Sequence, residues 1–205
     1  KSAAPLSAAA VFTLTPLMAA GFGWMALRQK LTGRMAFALG LGALGAVWVI
    51  FQGDLGAVMT LSLGRGEAIY FLGCVAHALY APLVRRLNRG EAALAFTFLT
   101  MLAGWLMLTG WSWTEIQTTE WAALPAIVWI AILYLALAAS AASFVLLQYA
   151  SLRLPAAKVM AYTYLTPAWV ILWEMALGHA TPPLATLAGL VLIGAALWLL
   201  LEEHA

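Results

Sequence analysis

The chain has 205 residues, 65% of them hydrophobic and only 9% charged, with a mean hydropathy of +0.96. That composition excludes an ordinary soluble domain, in which about a quarter of the residues are charged. A formal charge of +2 carried by scattered Lys and Arg excludes a nucleic-acid surface, and the single cysteine, Cys74, cannot form an internal disulfide.

A helix needs about 20 mainly apolar residues to cross the hydrocarbon layer. Seven such runs follow one another, at residues 5–26, 35–53, 67–85, 92–111, 123–150, 156–178 and 184–201. They are long, rich in Ala, Leu and Gly, and lack the polar–apolar alternation of barrel strands. The expected fold is therefore an all-α membrane protein with seven transmembrane helices.

The first span contains Leu14-Thr15-Pro16, and the second contains Gly40 and Gly45. In the third span Tyr70, Cys74, His77 and Tyr80 recur at helical spacing, a polar stripe that should face the bundle. The fifth span carries Ser140, Ser143, Gln148 and Tyr149, which could serve as glue between helices or as substrate contacts. Tyr162, Thr166, Trp169 and Trp173 share one face of the sixth span, with Pro167 and Glu174 beside it. Pro16 and Pro167 lack an N–H, so they free the carbonyls of Phe12 and Thr163 and bend their helices, which suits a gating pair. Small residues at Ala36, Gly40 and Ala43, and at Ala185, Gly189 and Ile193, allow helices to approach closely.

The connectors hold most of the charge. Arg28, Lys30, Arg34, Arg85, Arg86, Arg89, Arg153 and Lys158 fall on one side, which is expected to be cytoplasmic together with the C-terminal tail. Trp111, Trp113 and Trp121 form an aromatic belt on the other side. The chain opens on Lys1 without a signal peptide and is read as a fragment.

The stretch Pro5–Pro16 resembles Pro155–Pro167, and both end in Leu-Thr-Pro. Each is followed by an apolar half-helix, a short polar connector and a span with a Gly-x4-Gly pair, Gly40/Gly45 or Gly189/Gly194. The charge pattern puts the two connectors on opposite sides, so the copies are expected to be inverted, as in many secondary transporters.

These residues together resemble the EamA type of the drug/metabolite transporter superfamily. The resemblance implies ten helices in two inverted halves of five. Residues 1–53 would be the last two helices of the first repeat, 54–66 an outer connecting loop, and 67–205 the complete second repeat, with the first three helices missing. The Leu-Gly-Glu usual before the turn is Leu177-Gly178-His179 in one copy and Ala26-Leu27-Arg28 in the other, so no role of that glutamate carries over.

The expected function is secondary transport of a small polar metabolite, such as an amino acid, across a bacterial cytoplasmic (inner) membrane by alternating access. The expected substrate-binding residues are His77, Tyr80, Gln148, Thr166, Trp169 and Glu174, the last being the only carboxylate within the body of a span, where desolvation makes it a candidate for proton or amine exchange. Pro16 and Pro167 are the expected gating residues. No catalytic residue, metal or cofactor is expected. The expected partners are the small-molecule substrate and the lipid bilayer, with a homodimer left open and no nucleic acid. The alternatives are an intramembrane protease or other polytopic membrane enzyme, and a non-transporting receptor or structural protein. Neither Ser140 nor Ser143 sits in a Gly-x-Ser-x-Gly setting, and the last span has no Schiff-base lysine.

Overall fold

The computed structural model describes residues 5–54, 56, 59, 64–178 and 183–201. His179, the C-terminal tail and most of the 54–66 loop lie outside the described residues. Those described form helices and connectors, with no strand among them. Five helices are long and apolar enough to cross a membrane: Ala8–Leu27, Gly33–Ile50, Arg65–Leu87, Ala93–Trp111 and Ala126–Arg153.

The chain divides into two compact units, residues 1–86 with 154–205, and residues 87–153. In the first unit, α1 (Pro5–Phe12) and α2 (Thr15–Leu27) together make the first long helix. They are followed by α3 (Gly33–Ile50) and α4 (Arg65–Leu87). Thr32 caps α3 by accepting the Met35 N–H at 3.1 Å. The α2 helix ends with Arg28 in the left-handed region, where the Gln29 N–H closes back on the Gly23 carbonyl.

The sixth apolar run is not one helix over 156–178. It breaks into α9 (Ala156–Ala161), a 3₁₀ turn at Tyr162–Leu165 and α10 (Thr166–Ala176). The missing N–H of Pro167 and the clash of its ring with the preceding turn account for the break. The unit closes with α11 (Ala185–Leu201), a 17-residue apolar helix.

The core of this unit is the seam between α3 and α11. Trp48 donates to the Ala185 carbonyl at 2.7 Å, Gly45 faces Gly189, and Gly42 faces Ala196. Numbers rise along one helix as they fall along the other, so the two run antiparallel. Ala38, Leu39, Ala46, Val49, Ile193, Leu197 and Leu200 are buried in the same cluster. A Cβ on Gly45 would stand 2.8 Å from the Gly189 oxygen, and one on Gly189 would stand 2.7 Å from the Gly45 oxygen, so both positions must lack a side chain. On α11 the seam uses the expected Ala185, Gly189 and Ile193, whereas on α3 it corrects the expected face: Ala36 is exposed, and a Cβ on Gly40 would meet nothing within 4 Å.

The second unit contains α5 (Ala93–Trp111), the short α6 (Trp113–Thr118) and a further 3₁₀ turn at Trp121–Ala123. A long helix follows in three parts, α7 (Ala126–Tyr134), a π-helical stretch at Leu135–Ala142 and α8 (Ser143–Arg153). Helix α5 packs on α8. Trp121 donates to the Ile116 carbonyl at 2.8 Å and stacks obliquely on Trp129, a tryptophan cluster at the α5–α7 connection.

Candidate functional site

The two Leu-Thr-Pro motifs govern the site. At the first, α1 stops at Phe12 and α2 restarts at Thr15; Thr13 Oγ1 turns back to the Ala10 carbonyl at 2.7 Å, and the Leu14 N–H reaches Val11. At the second, Thr163 Oγ1 turns back to the Met160 carbonyl, also at 2.7 Å. Leu14 has φ −76° and ψ −15°, and Leu165 has φ −74° and ψ −12°. The leucine of each motif thus takes the same backbone angles, although the first break is a two-residue turn and the second a four-residue 3₁₀ segment; each proline removes a donor that would continue the helix.

The polar stripe of α4 meets the first break. The His77 ring lies 5.8 Å from the Phe12 ring, and buried Cys74 lies beside Thr15. Thr15 Oγ1 is fully buried and finds no conventional oxygen or nitrogen partner, which leaves the Cys74 thiol, a weak donor, as its polar neighbour. Pro16 is buried here, whereas His77 and Tyr80 are half-buried. The structure therefore brings His77 together with the Pro16 break.

The second break is pinned differently. Tyr164 is buried, and its hydroxyl donates to the Leu39 carbonyl of α3 at 3.1 Å while its ring fills the space left by Gly42. Beyond it, Thr166, Trp169 and Glu174 lie on exposed positions of α10, with Pro167 half-buried at its start. Gln148 is fully buried on α8, in the other unit.

The cationic connectors of the first unit gather at one end. The Gln29 side-chain oxygen accepts the Ala156 N–H at 3.1 Å, and the Arg85 guanidinium donates to the Leu154 carbonyl at 3.3 Å. These bonds hold the Arg28–Arg34 connector, the last turn of α4 and the start of α9 together. The opposite end is marked by the Trp48–Ala185 hydrogen bond.

A family model, the EamA-like transporter family, matches residues 64–202. The chain belongs to the EamA-like transporter family. A curated relative, the "Uncharacterized transporter YyaM" of Bacillus subtilis (strain 168), is 28% identical over 178 residues, which are 87% of this chain and 58% of the relative. The chain thus spans less than two thirds of that relative's length. No solved structure matches the chain. Membership of the EamA-like transporter family and the apolar helices make the chain a multi-pass membrane protein.

Sequence reasoning missed three residues that shape this family member's broken helices: Thr15, Tyr164 and Gly42. Thr15 and Tyr164 were visible as parts of the repeated motif, and Gly42 lies three residues from Gly45, close enough to share a helix face with it.

Proposed function

We propose that the protein is a secondary transporter that moves a small polar metabolite, such as an amino acid, across the bacterial cytoplasmic membrane by alternating access. Its spans belong to a five-plus-five inverted repeat, with residues 1–53 closing the first half and residues 67–205 forming the second; the seven-span count includes the broken sixth span and α11. The observation that carries this reading is that a helix is interrupted at each Leu-Thr-Pro, at Leu14-Thr15-Pro16 and at Leu165-Thr166-Pro167, with the same backbone angles at the two leucines. Interrupted helices in matching positions of two repeats are where transporters place their substrate sites. The antiparallel pairing of α3 with α11 is the contact that an axis in the membrane plane would generate. The basic end, bearing Arg28, Lys30, Arg34, Arg85, Arg86 and Lys158, is cytoplasmic, as the preference of Lys and Arg for that side requires.

In this reading His77, Tyr80, Gln148, Thr166, Trp169 and Glu174 border the path, and Pro16 and Pro167 are the gates. Glu174 carries either a coupling proton or the charge that meets a substrate amine. Uptake of labelled amino acids and other small polar metabolites into liposomes holding the full-length protein tests this. Saturable uptake above protein-free liposomes is expected. In a Glu174→Gln variant, loss of active exchange with retention of downhill exchange assigns the proton role, and weakening of both assigns the amine role. A variant as active as the parent in both modes removes Glu174 from the site, and absence of saturable uptake across the panel removes the transport reading for those substrates.

A further inference from the structure

The Ala156 N–H donates to the Gln29 Oε1 at 3.1 Å across 127 positions of sequence. Gln29 lies in the connector after α2, and Ala156 opens α9, whose six residues are all buried and pack on α2. Two local features shape this contact. Arg28, at φ 52° and ψ 32°, holds a left-handed conformation that a residue with a Cβ adopts only at a cost; it turns the chain so that the Gln29 N–H closes back on the Gly23 carbonyl at 3.2 Å. Gly23 leaves the room, since a Cβ there would stand 2.6 Å from the Gln29 Oε1 and 3.4 Å from the Ala156 Cβ. Beside it the Arg85 guanidinium, from the last turn of α4, donates to the Leu154 carbonyl at 3.3 Å.

The energetics of the contact are close to balance. The Gln29 Nε2 is buried with no hydrogen-bond partner among the described residues, and Arg28 is strained, so both offset what the accepted bond contributes. A residue in such a conformation persists where its surroundings hold it, and such residues gather at clamps and switches. In the two-half reading proposed above, Gln29 belongs to the first half and Ala156 to the second, so the bond joins the halves at the basic end. Halves that rock about a central site must part at one end as they close at the other. A contact near balance can part under a small change in free energy.

We propose that the Gln29–Ala156 hydrogen bond, seated on Gly23 and aimed by the Arg28 turn, is a latch that closes the transport path at the basic end and opens whenever the path faces that side. The proposal rests on the alternating-access reading, but its test reads accessibility and not uptake, so the two can fail separately.

Cysteine accessibility in the full-length protein, with Cys74 replaced by Ala, tests it. Ala161→Cys places a thiol at the fully buried end of α9, in the core cluster that Ala20 of α2 shares, and Ala157→Cys places one a turn nearer the latch. Ala156→Pro removes the donor alone, because the first position of a helix tolerates proline, and Gln29→Ala removes the acceptor. Each should raise the labelling rate at position 161 about two- to ten-fold in inside-out membrane vesicles treated with an impermeant thiol reagent, the shift in equilibrium that follows from losing one hydrogen bond. No rise is expected in intact cells. Gln29→Glu, which keeps an oxygen acceptor, should label at the parent rate, and Gly23→Val, whose side chain displaces the Gln29 amide, should label as Gln29→Ala does. Labelling at position 161 that stays at the parent rate in both Ala156→Pro and Gln29→Ala overturns the proposal. So does a rise confined to position 157, which is fraying of the connector, and so does an equal rise in intact cells. Melting in detergent supplies the last control: a rise seen only in variants that no longer melt cooperatively reports a lost fold and overturns the latch as well.

Discussion

Gly45 and Gly189 oppose each other across the α3–α11 seam so tightly that a Cβ on either would stand within 2.8 Å of the other's carbonyl oxygen. Backbone cannot yield as a flexible side chain can, so enlarging either residue must separate the helices. Gly45→Val or Gly189→Val should cost about 1–3 kcal/mol or more through overpacking, read as a lowered melting temperature in detergent. Gly40→Ala and Gly194→Ala, where a Cβ meets nothing, should be neutral or stabilising by about 0.5–1 kcal/mol, the usual difference between Gly and Ala within a helix. Equal destabilisation at all four sites would contradict the seam.

Tyr164 and Gly42 form a matched pair, since a Cβ on Gly42 would fall on the tyrosine ring. Gly42→Ala should destabilise the parent by about 1–3 kcal/mol and much less in a Tyr164→Leu background. Tyr164→Phe, which removes only the hydrogen bond to Leu39, should cost about 0.5–1.5 kcal/mol, the net value of one buried hydrogen bond, because the Leu39 carbonyl keeps its helical partner. A double-mutant cycle on melting free energies measures the coupling, and strict additivity would refute it.

The spans were legible because apolar runs of membrane length are longer than a soluble core helix needs, and the bends because proline deletes a donor wherever it stands. The seam was not legible from the Gly-x4-Gly pairs. Residues five apart on an α-helix point about 140° from each other, so Gly40 and Gly45 cannot both face one neighbour. The spacing that fits a seam is Ala38, Gly42, Gly45 and Val49, alternating four and three residues, and only one arm of each Gly pair belongs to it. The 3₁₀ turn at Tyr162–Leu165 was hidden because Tyr, Thr and Leu interrupt neither hydropathy nor period. The meeting of His77 with the first break joins residues 65 positions apart in the chain, and one sequence carries no record of such pairing.

Thr15 offers a way to separate stability from function. Its hydroxyl is buried beside the Cys74 thiol and has no oxygen or nitrogen hydrogen-bond partner among the described residues. Thr15→Val keeps the shape and removes a polar group that gains little from folding, so melting should be unchanged or raised. If the Leu-Thr-Pro break meets substrate, uptake should fall several-fold in the same preparation. Unaltered uptake would leave the hydroxyl without a transport role.

The connector after α4 should be sensitive to acid. The Glu91 carboxylate accepts the Arg89 backbone N–H at 2.6 Å, which holds its pKa below the usual carboxylate value. A lowered folded-state pKa gives order that is present above the ordinary carboxylate range and lost as pH falls through the lowered value. Hydrogen exchange of the Arg89 amide, corrected for intrinsic rates, should show protection that fades as the pH falls below the ordinary carboxylate range, and Glu91→Gln should weaken it at neutral pH. Protection independent of both would contradict the assignment.

The proposal that the two helix pairs are inverted copies stands or falls on the sidedness of their connectors. In the full-length protein with Cys74 replaced by Ala, single cysteines at Leu31→Cys and Ala180→Cys should be probed with a membrane-impermeant thiol reagent in intact cells. Labelling at position 180 in intact cells, with labelling at position 31 only after permeabilisation, is the expected result; labelling of both positions from the same side would contradict the inversion and, with it, the alternating-access reading built on it.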